Sequence, residues 1–215
     1  MVTPPDQSPV TRARTRFGWL RAASDRVPTR WFAAIGTGLF LAATAAFGGL
    51  ATAAEHEPAV LADGATHRND QLSIRVERAV LIDEFPDAGV YVEDGERVLA
   101  LVVTVENEWT QPLPTSPGTS VAKSFTIEGL SAGPDSTARL DDATVGPWLQ
   151  PGVPAQIVVT WAVDADRFDA DQKLTVTLND LTLYTGSFVT SGQWWTDPVP
   201  AATTTVVIED VGAGA

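Results

Sequence analysis

The chain has no cysteine, and only two histidines and two lysines among its 215 residues. Each scarcity closes a route to function. Without thiols there is no disulfide framework, no Cys–His nucleophile and no thiolate metal site. A Ser–His–Asp triad needs an imidazole as its proton acceptor. The two available, His56 and His67, both lie in one short acidic stretch and read as solvated. No Asp-Thr-Gly or Asp-Ser-Gly occurs for an aspartic protease dyad. Carboxylates are so numerous that some glycosidase-like pair always exists, so their presence carries no information. The expectation is a protein that is not an enzyme and holds no cofactor.

Positive charge is scarce wherever it is not clustered. Six of the fourteen basic residues, Arg12, Arg14, Arg16, Arg21, Arg26 and Arg30, precede residue 31. The remaining eight face 25 acids (27 less Asp6 and Asp25), so residues 55–215 carry a net charge of about −17. Such a field repels nucleic acid and anionic lipid, and no nucleic-acid partner is expected.

One long uncharged run is present, Trp31 to Ala54. At about 1.5 Å per helical residue it can cross a hydrocarbon core of about 30 Å. The arginines before it hold residues 1–30, a polar basic tail, in the cytoplasm and send residues 55–215 outward. A single-pass signal anchor over 31–54 is therefore expected. The alternative is a signal peptide cleaved near Ala51-Thr52-Ala53, which would release a secreted domain. Gly38, Ala42, Ala45, Gly49 and Ala53 fall on one helical face, where small residues let a second membrane helix approach closely.

Residues 55–70 read as a linker. From Gln71 the apolar pattern has period two, and short strands separated by Pro, Gly and Asp turns continue to about residue 210. Leu72, Ile74 and Val76 alternate with polar residues, and Ala79–Ile82 continues them after a change of phase. Asp94-Gly95 predicts a tight hairpin pairing Val90–Glu93 with Glu96–Leu99. In the strand beyond it, Leu99, Leu101, Val103 and Val105 form one face, and Val98, Ala100 and Val102 the other. Both faces of it need cover. Further strands are expected at Ser124–Ile127, Ala138–Leu140, Gln156–Val163, Lys173–Asn179, Thr182–Tyr184 and Thr203–Ile208. Residues 211–215 read as a loose tail. The fold class is all-β, an antiparallel sandwich over residues 71–210 outside the cell, preceded by the transmembrane helix.

A strand closing on VTVENEW, then Pro112-Leu113, a Phe125-x-Ile127 strand and Leu149-Gln150-Pro151-Gly152 before QIVVTWAVD form a recognisable set. It resembles small exported bacterial immunoglobulin-like domains of unknown function, including the mycobacterial secreted-antigen type. The Arg-rich, Ala-rich composition agrees with an actinobacterial origin. The resemblance implies an immunoglobulin-like fold and an exported location, and it brings no catalytic residues.

Two constellations are left as candidate sites. Asp164, Asp166, Asp169 and Asp171 place four carboxylates in eight residues between two strands, as a Ca²⁺ loop would. Phe168 interrupts them, no glycine stands at the sixth position, and the alternative is a solvated acidic turn. Trp194 and Trp195 lie in an expected loop; adjacent side chains point apart, so one is exposed as a contact surface, and the alternative is that one plugs the end of the sandwich. Trp161, in phase with Ile157 and Val159, is expected in the core. The functional expectation is a membrane-anchored extracytoplasmic binding module, an accessory partner of an envelope protein such as a transporter. The alternative is a secreted domain binding a small ligand or glycan.

Overall fold

The computed structural model describes residues 29–46, 57–187 and 191–212. They fall into two separate units, one ending at Glu55 and the other starting at His56.

In the first unit, α1 spans Thr29–Ala46 and carries no charge after Arg30. Gly38, Ala42 and Ala45 are exposed on it, and a Cβ added at Gly38 would meet nothing within 4 Å. Among the described residues, no helix is long and apolar enough to cross a membrane. The expected span runs on to Ala54, so its last eight residues, Gly49 and Ala53 among them, lie outside the described residues.

The second unit is a β-sandwich. Its strands are β1 (Ala59–Val60), β2 (Thr66–Arg68), β3 (Leu72–Ile82), β4 (Glu96–Asn107), β5 (Leu113–Pro114) and β6 (Phe125–Ile127). They continue with β7 (Ser136–Arg139), β8 (Trp148–Leu149), β9 (Pro154–Asp164), β10 (Lys173–Thr185) and β11 (Gln193–Gly212). One sheet is built on β6, β10 and β11, the other on β3, β4, β9 and β7, and β11 belongs to both. Its first part pairs antiparallel with β10, and its end, from Ile208, pairs with β3. The small β5–β8 ribbon stands apart. A four-residue helix, α2 (Ser120–Lys123), and one 3₁₀ turn at Pro86–Ala88 are the only helical pieces described in this unit.

The period-two reading places the core correctly. Leu99, Leu101, Val103 and Val105 of β4 meet Leu174, Val176 and Leu178 of β10 in the main core, with Trp161 2% exposed among them. The change of phase in β3 is a bulge between Val76 and Arg78, which turns Ala79 and Leu81 back to the core. One bulge explains the broken alternation.

Four expectations are corrected. The Asp94-Gly95 hairpin does not form, because β4 is flanked on both edges by β3 and β9, leaving residues 90–93 no ladder to join. Gly95 has positive φ but Asp94 does not, whereas a type I′ turn needs both. The supposed linker supplies β1 and β2, so the sandwich begins before Gln71 and only its first residues fall outside the description. Val211 and Gly212 of the supposed loose tail belong to β11. Finally, the sheets are not wholly antiparallel, since β11 runs parallel to both β1 and β3.

Instead of forming a hairpin, the segment after β3 crosses the second face of the β3–β4–β9 sheet. Ala88 and Val90 bury against Val80, Val98, Ala100, Ala138 and Val158, the cover that an apolar second face requires. Gly89 makes the crossing possible with φ +74, and a Cβ there would lie 2.8 Å from a Val145 methyl and 2.9 Å from Ser136 Oγ. Ser136 Oγ itself donates to the Ala88 carbonyl at 2.6 Å. Gly89→Ala should therefore cost about 2 kcal/mol, from left-handed strain and displacement of that hydroxyl. Urea unfolding of the variant checks it, and Gly64→Ala, with equal strain but open space around it, should cost less.

Candidate functional site

The residues of the VTVENEW and LQPG segments are joined by one side chain. Asn107 continues the core-facing register of β4 and is fully buried. Its Nδ2 donates to the carbonyls of Gln111 (2.8 Å) and Leu149 (2.9 Å), and its Oδ1 accepts from the Trp109 amide (2.9 Å). The Gly152 amide donates back to the Asn107 carbonyl at 2.8 Å. A polar residue at a core position is stable only when its groups are satisfied, and here every one is used. The clamp fixes the course of residues 108–114 and hence the place of Trp109 and Gln111.

Opposite lies the start of β11, a strand rather than the expected loop. Strand alternation separates the two tryptophans as the sequence requires: Trp195 is 8% exposed, Trp194 39%. Trp195 meets Trp109 edge to face, centroids 5.9 Å apart at 85°. Its Nε1 is buried without a hydrogen-bond partner, a cost that the edge-to-face contact partly offsets. Trp194 is braced by Tyr184, its neighbour across the β10–β11 ladder, with centroids 4.5 Å apart.

Between the two segments is a cleft of about 410 Å³, bounded by Trp109, Trp194, Trp195, Gln111, Gln193 and the first turn of α2. Gln111 Nε2 reaches Gln193 Oε1 at a long 3.4 Å. A second cavity of about 450 Å³ lies beside Phe125, Leu130 and Pro134. The two share Gly118 and Lys123. Asn179 sets the end of α2 by donating through Nδ2 to the Lys123 carbonyl and Thr126 Oγ1, both at 2.9 Å. Among the described residues, neither cavity is lined by any aspartate or glutamate. Lys123 makes no ion pair among the described residues.

The acidic loop is not assembled as a metal site. Asp164, Asp166, Asp169 and Asp171 are all exposed, and no three His, Cys, Asp or Glu side chains among the described residues are placed to hold a metal ion. The loop is shaped by packing instead. Phe168 is buried in the core, Arg167 donates to the Gly129 carbonyl, and the Asp171 amide reaches Ile208. Of the two histidines, His56 lies outside the described residues, while His67 is not solvated as expected. Its side chain is 13% exposed, and Nε2 lies 2.7 Å from Asp180 Oδ1, which also accepts from Asn69 at 2.6 Å. That contact fastens β2 to β10.

A second ionic cluster joins β4, β11 and the residue that follows β3. Arg97 donates two hydrogen bonds to Asp210 (2.9 and 2.6 Å) and one to Asp83 (3.0 Å). The Arg97 hydrogen bonds, then the Gly212 amide, pull the Asp210 carboxyl down to about 2. A carboxyl lowered on folding adds stability above its unfolded value of about 3.9, and that stability is lost as pH falls toward 2. Asp210→Asn should therefore be less stable than the parent near neutrality, with the gap closing between about pH 4 and pH 2. Urea midpoints across that range test it; a gap independent of pH would refute the assignment.

The fold is that of a β-sandwich protein. No protein-family model and no curated protein matches the chain. Solved structures similar to it include the following two. One is an uncharacterized β-sandwich protein from Clostridium difficile, 13% identical, covering 73% of this chain and 97% of its own, with a TM-score of 0.41. The other is a "putative lipoprotein" from Staphylococcus aureus, 9% identical, covering 72% of this chain and 97% of its own, with a TM-score of 0.37.

Trp194 and Trp195 stand out in the sequence, whereas the residues that complete the cleft around them do not. Gln111 and Gln193 carry no pattern of their own. Asn107 did leave a signal: it takes the next core-facing position after Val105, where an amide has no place unless it is bonded.

Proposed function

We propose that this chain is a non-catalytic binding module, displayed outside the cell on its N-terminal segment as an accessory partner of an envelope protein such as a transporter. The exported, immunoglobulin-like affinity suggested by its motifs, and the actinobacterial origin suggested by its composition, are part of that reading. The observation that carries it is the aromatic cleft between Trp109 and Trp194, which is free of carboxylates on an otherwise acidic domain. A site for acid–base chemistry would need titratable groups there, and the cleft offers Lys123 alone. Binding is the use that fits rigid indoles flanked by amides. The arginine-flanked uncharged segment and its Gly38/Ala42/Ala45 stripe support the tether.

The cleft's size, within the range of small-molecule sites, favours a second reading: a cleaved, secreted domain for a small ligand or glycan. One experiment separates them. The tagged full-length protein is extracted from native membranes in mild detergent, and its mass and companions are read by mass spectrometry. Recovery at full length with a stoichiometric membrane protein is expected, with loss of that companion in Gly38→Leu/Gly49→Leu. A protein found in the medium and beginning near Ala54 would overturn the tether and leave the secreted reading.

A further inference from the structure

The geometry points to a ligand class for the cleft: an uncharged chain of pyranose sugars, lying on Trp194 and crossing Lys123 into the neighbouring cavity. This rests on reading the cleft as the binding site, and four features converge on it. Trp194 offers a flat apolar face that the β10–β11 ladder and Tyr184 hold in place before any ligand arrives. Such a face matches the C–H side of a pyranose ring and costs little ordering on binding. Gln111 Nε2 reaches Gln193 Oε1 only at 3.4 Å and Gln193 Nε2 donates to Thr185 Oγ1 at 3.2 Å, so the Gln111 oxygen and the second N–H of each amide are left to accept from and donate to sugar hydroxyls.

Charge narrows the class further. With no carboxylate lining either cavity, a metal ion or a basic peptide finds no partner there. The net charge of about −17 on residues 55–215 opposes polyanions at long range. Lys123 serves a neutral ligand equally well, as three donors to hydroxyl oxygens. Two cavities of about 410 and 450 Å³ meeting at Gly118 and Lys123 call for several rings in line, not one. A peptide adding to the nearby stretch of β11 is disfavoured, because Pro198 and Pro200 remove two ladder donors.

The test is isothermal titration calorimetry on the full-length protein in detergent. The probes are short cello-, xylo- and chito-oligosaccharides, with oligogalacturonate as the charged counterpart. Saturable binding of at least one uncharged probe is expected, weakened about tenfold in Trp194→Ala. Gln193→Ala, an exposed position, should weaken binding as well, so the result does not hang on one variant folding. Trp148→Ala, at an exposed tryptophan outside both cavities, should bind as the parent does. Any of three results overturns the proposal: no saturable heat with the uncharged probes at millimolar concentration, binding by both cleft variants equal to the parent's, or tighter binding of oligogalacturonate. Recovery of a stoichiometric envelope partner alongside such a failure would remove the sugar and leave the tethered module standing.

Discussion

Asn107→Ala should lower the unfolding free energy by about 3 kcal/mol, and Asn107→Asp by more. Alanine strands three backbone groups at once, the Gln111 and Leu149 carbonyls and the Trp109 amide. Each group left without a partner when buried costs about 1–3 kcal/mol, reduced where the loop relaxes to admit water. Aspartate keeps the acceptor for Trp109 but turns a donor facing two carbonyls into an anion. With no cation among the described residues placed to receive it, that charge is costly to bury. Urea unfolding gives the two values, and near-ultraviolet circular dichroism reports whether the Trp109–Trp195 pair has loosened. If the aspartate variant proved the more stable of the two, the amide would not be oriented as described.

Trp161→Ala is the other large effect, expected at about 4 kcal/mol and a fall of about 10 °C in melting temperature. Trp161 stands in β9 opposite Leu99 of β4, at 2% exposure, and is among the largest fully enclosed side chains. Truncation removes its burial and leaves a void that the β4 and β9 ladders keep from collapsing. Against a total stability of order 5–15 kcal/mol, this variant sits near the limit of folding. Trp161→Phe, which retains most of the volume, should lose less than half as much. The surface replacement Trp148→Ala, at 61% exposure, should stay within about 0.5 kcal/mol of the parent. A Trp161→Ala loss below about 1 kcal/mol would mean that the core is looser than its packing implies.

What the sequence carries well is the pattern set by burial. Alternation identified β3, β4, β9 and the first half of β10, and even the bulge after Val76, because one face of each strand must be apolar. The Asp94-Gly95 signal failed because turn preference is local, whereas the edges of β4 are claimed by β3 and β9 from far along the chain. β11 was largely missed for a related reason. Asp197-Pro198 reads as a stop, yet here it only bends a strand whose bulged partner, near Asp180, bends with it. Asp180 also shows why the cluster around His67 was illegible: its members lie more than a hundred residues apart. The acidic loop shows the reverse. Four close carboxylates attract notice in sequence, but Phe168 is what organises that turn.

Because β11 borders both sheets, the order of events in folding is constrained. Until Gln193–Gly212 is in place, β10 lacks its long partner and β3 lacks its neighbour at Ala79–Ile82, so neither sheet is closed. Residues 57–187 by themselves leave two open edges and an uncovered core. A chain emerging from its N-terminal end therefore stays open until this late strand arrives, and pairings so distant along the chain form slowly. If the domain is threaded through a membrane pore, as proposed above, that delay keeps the polypeptide extended until the last strand has crossed.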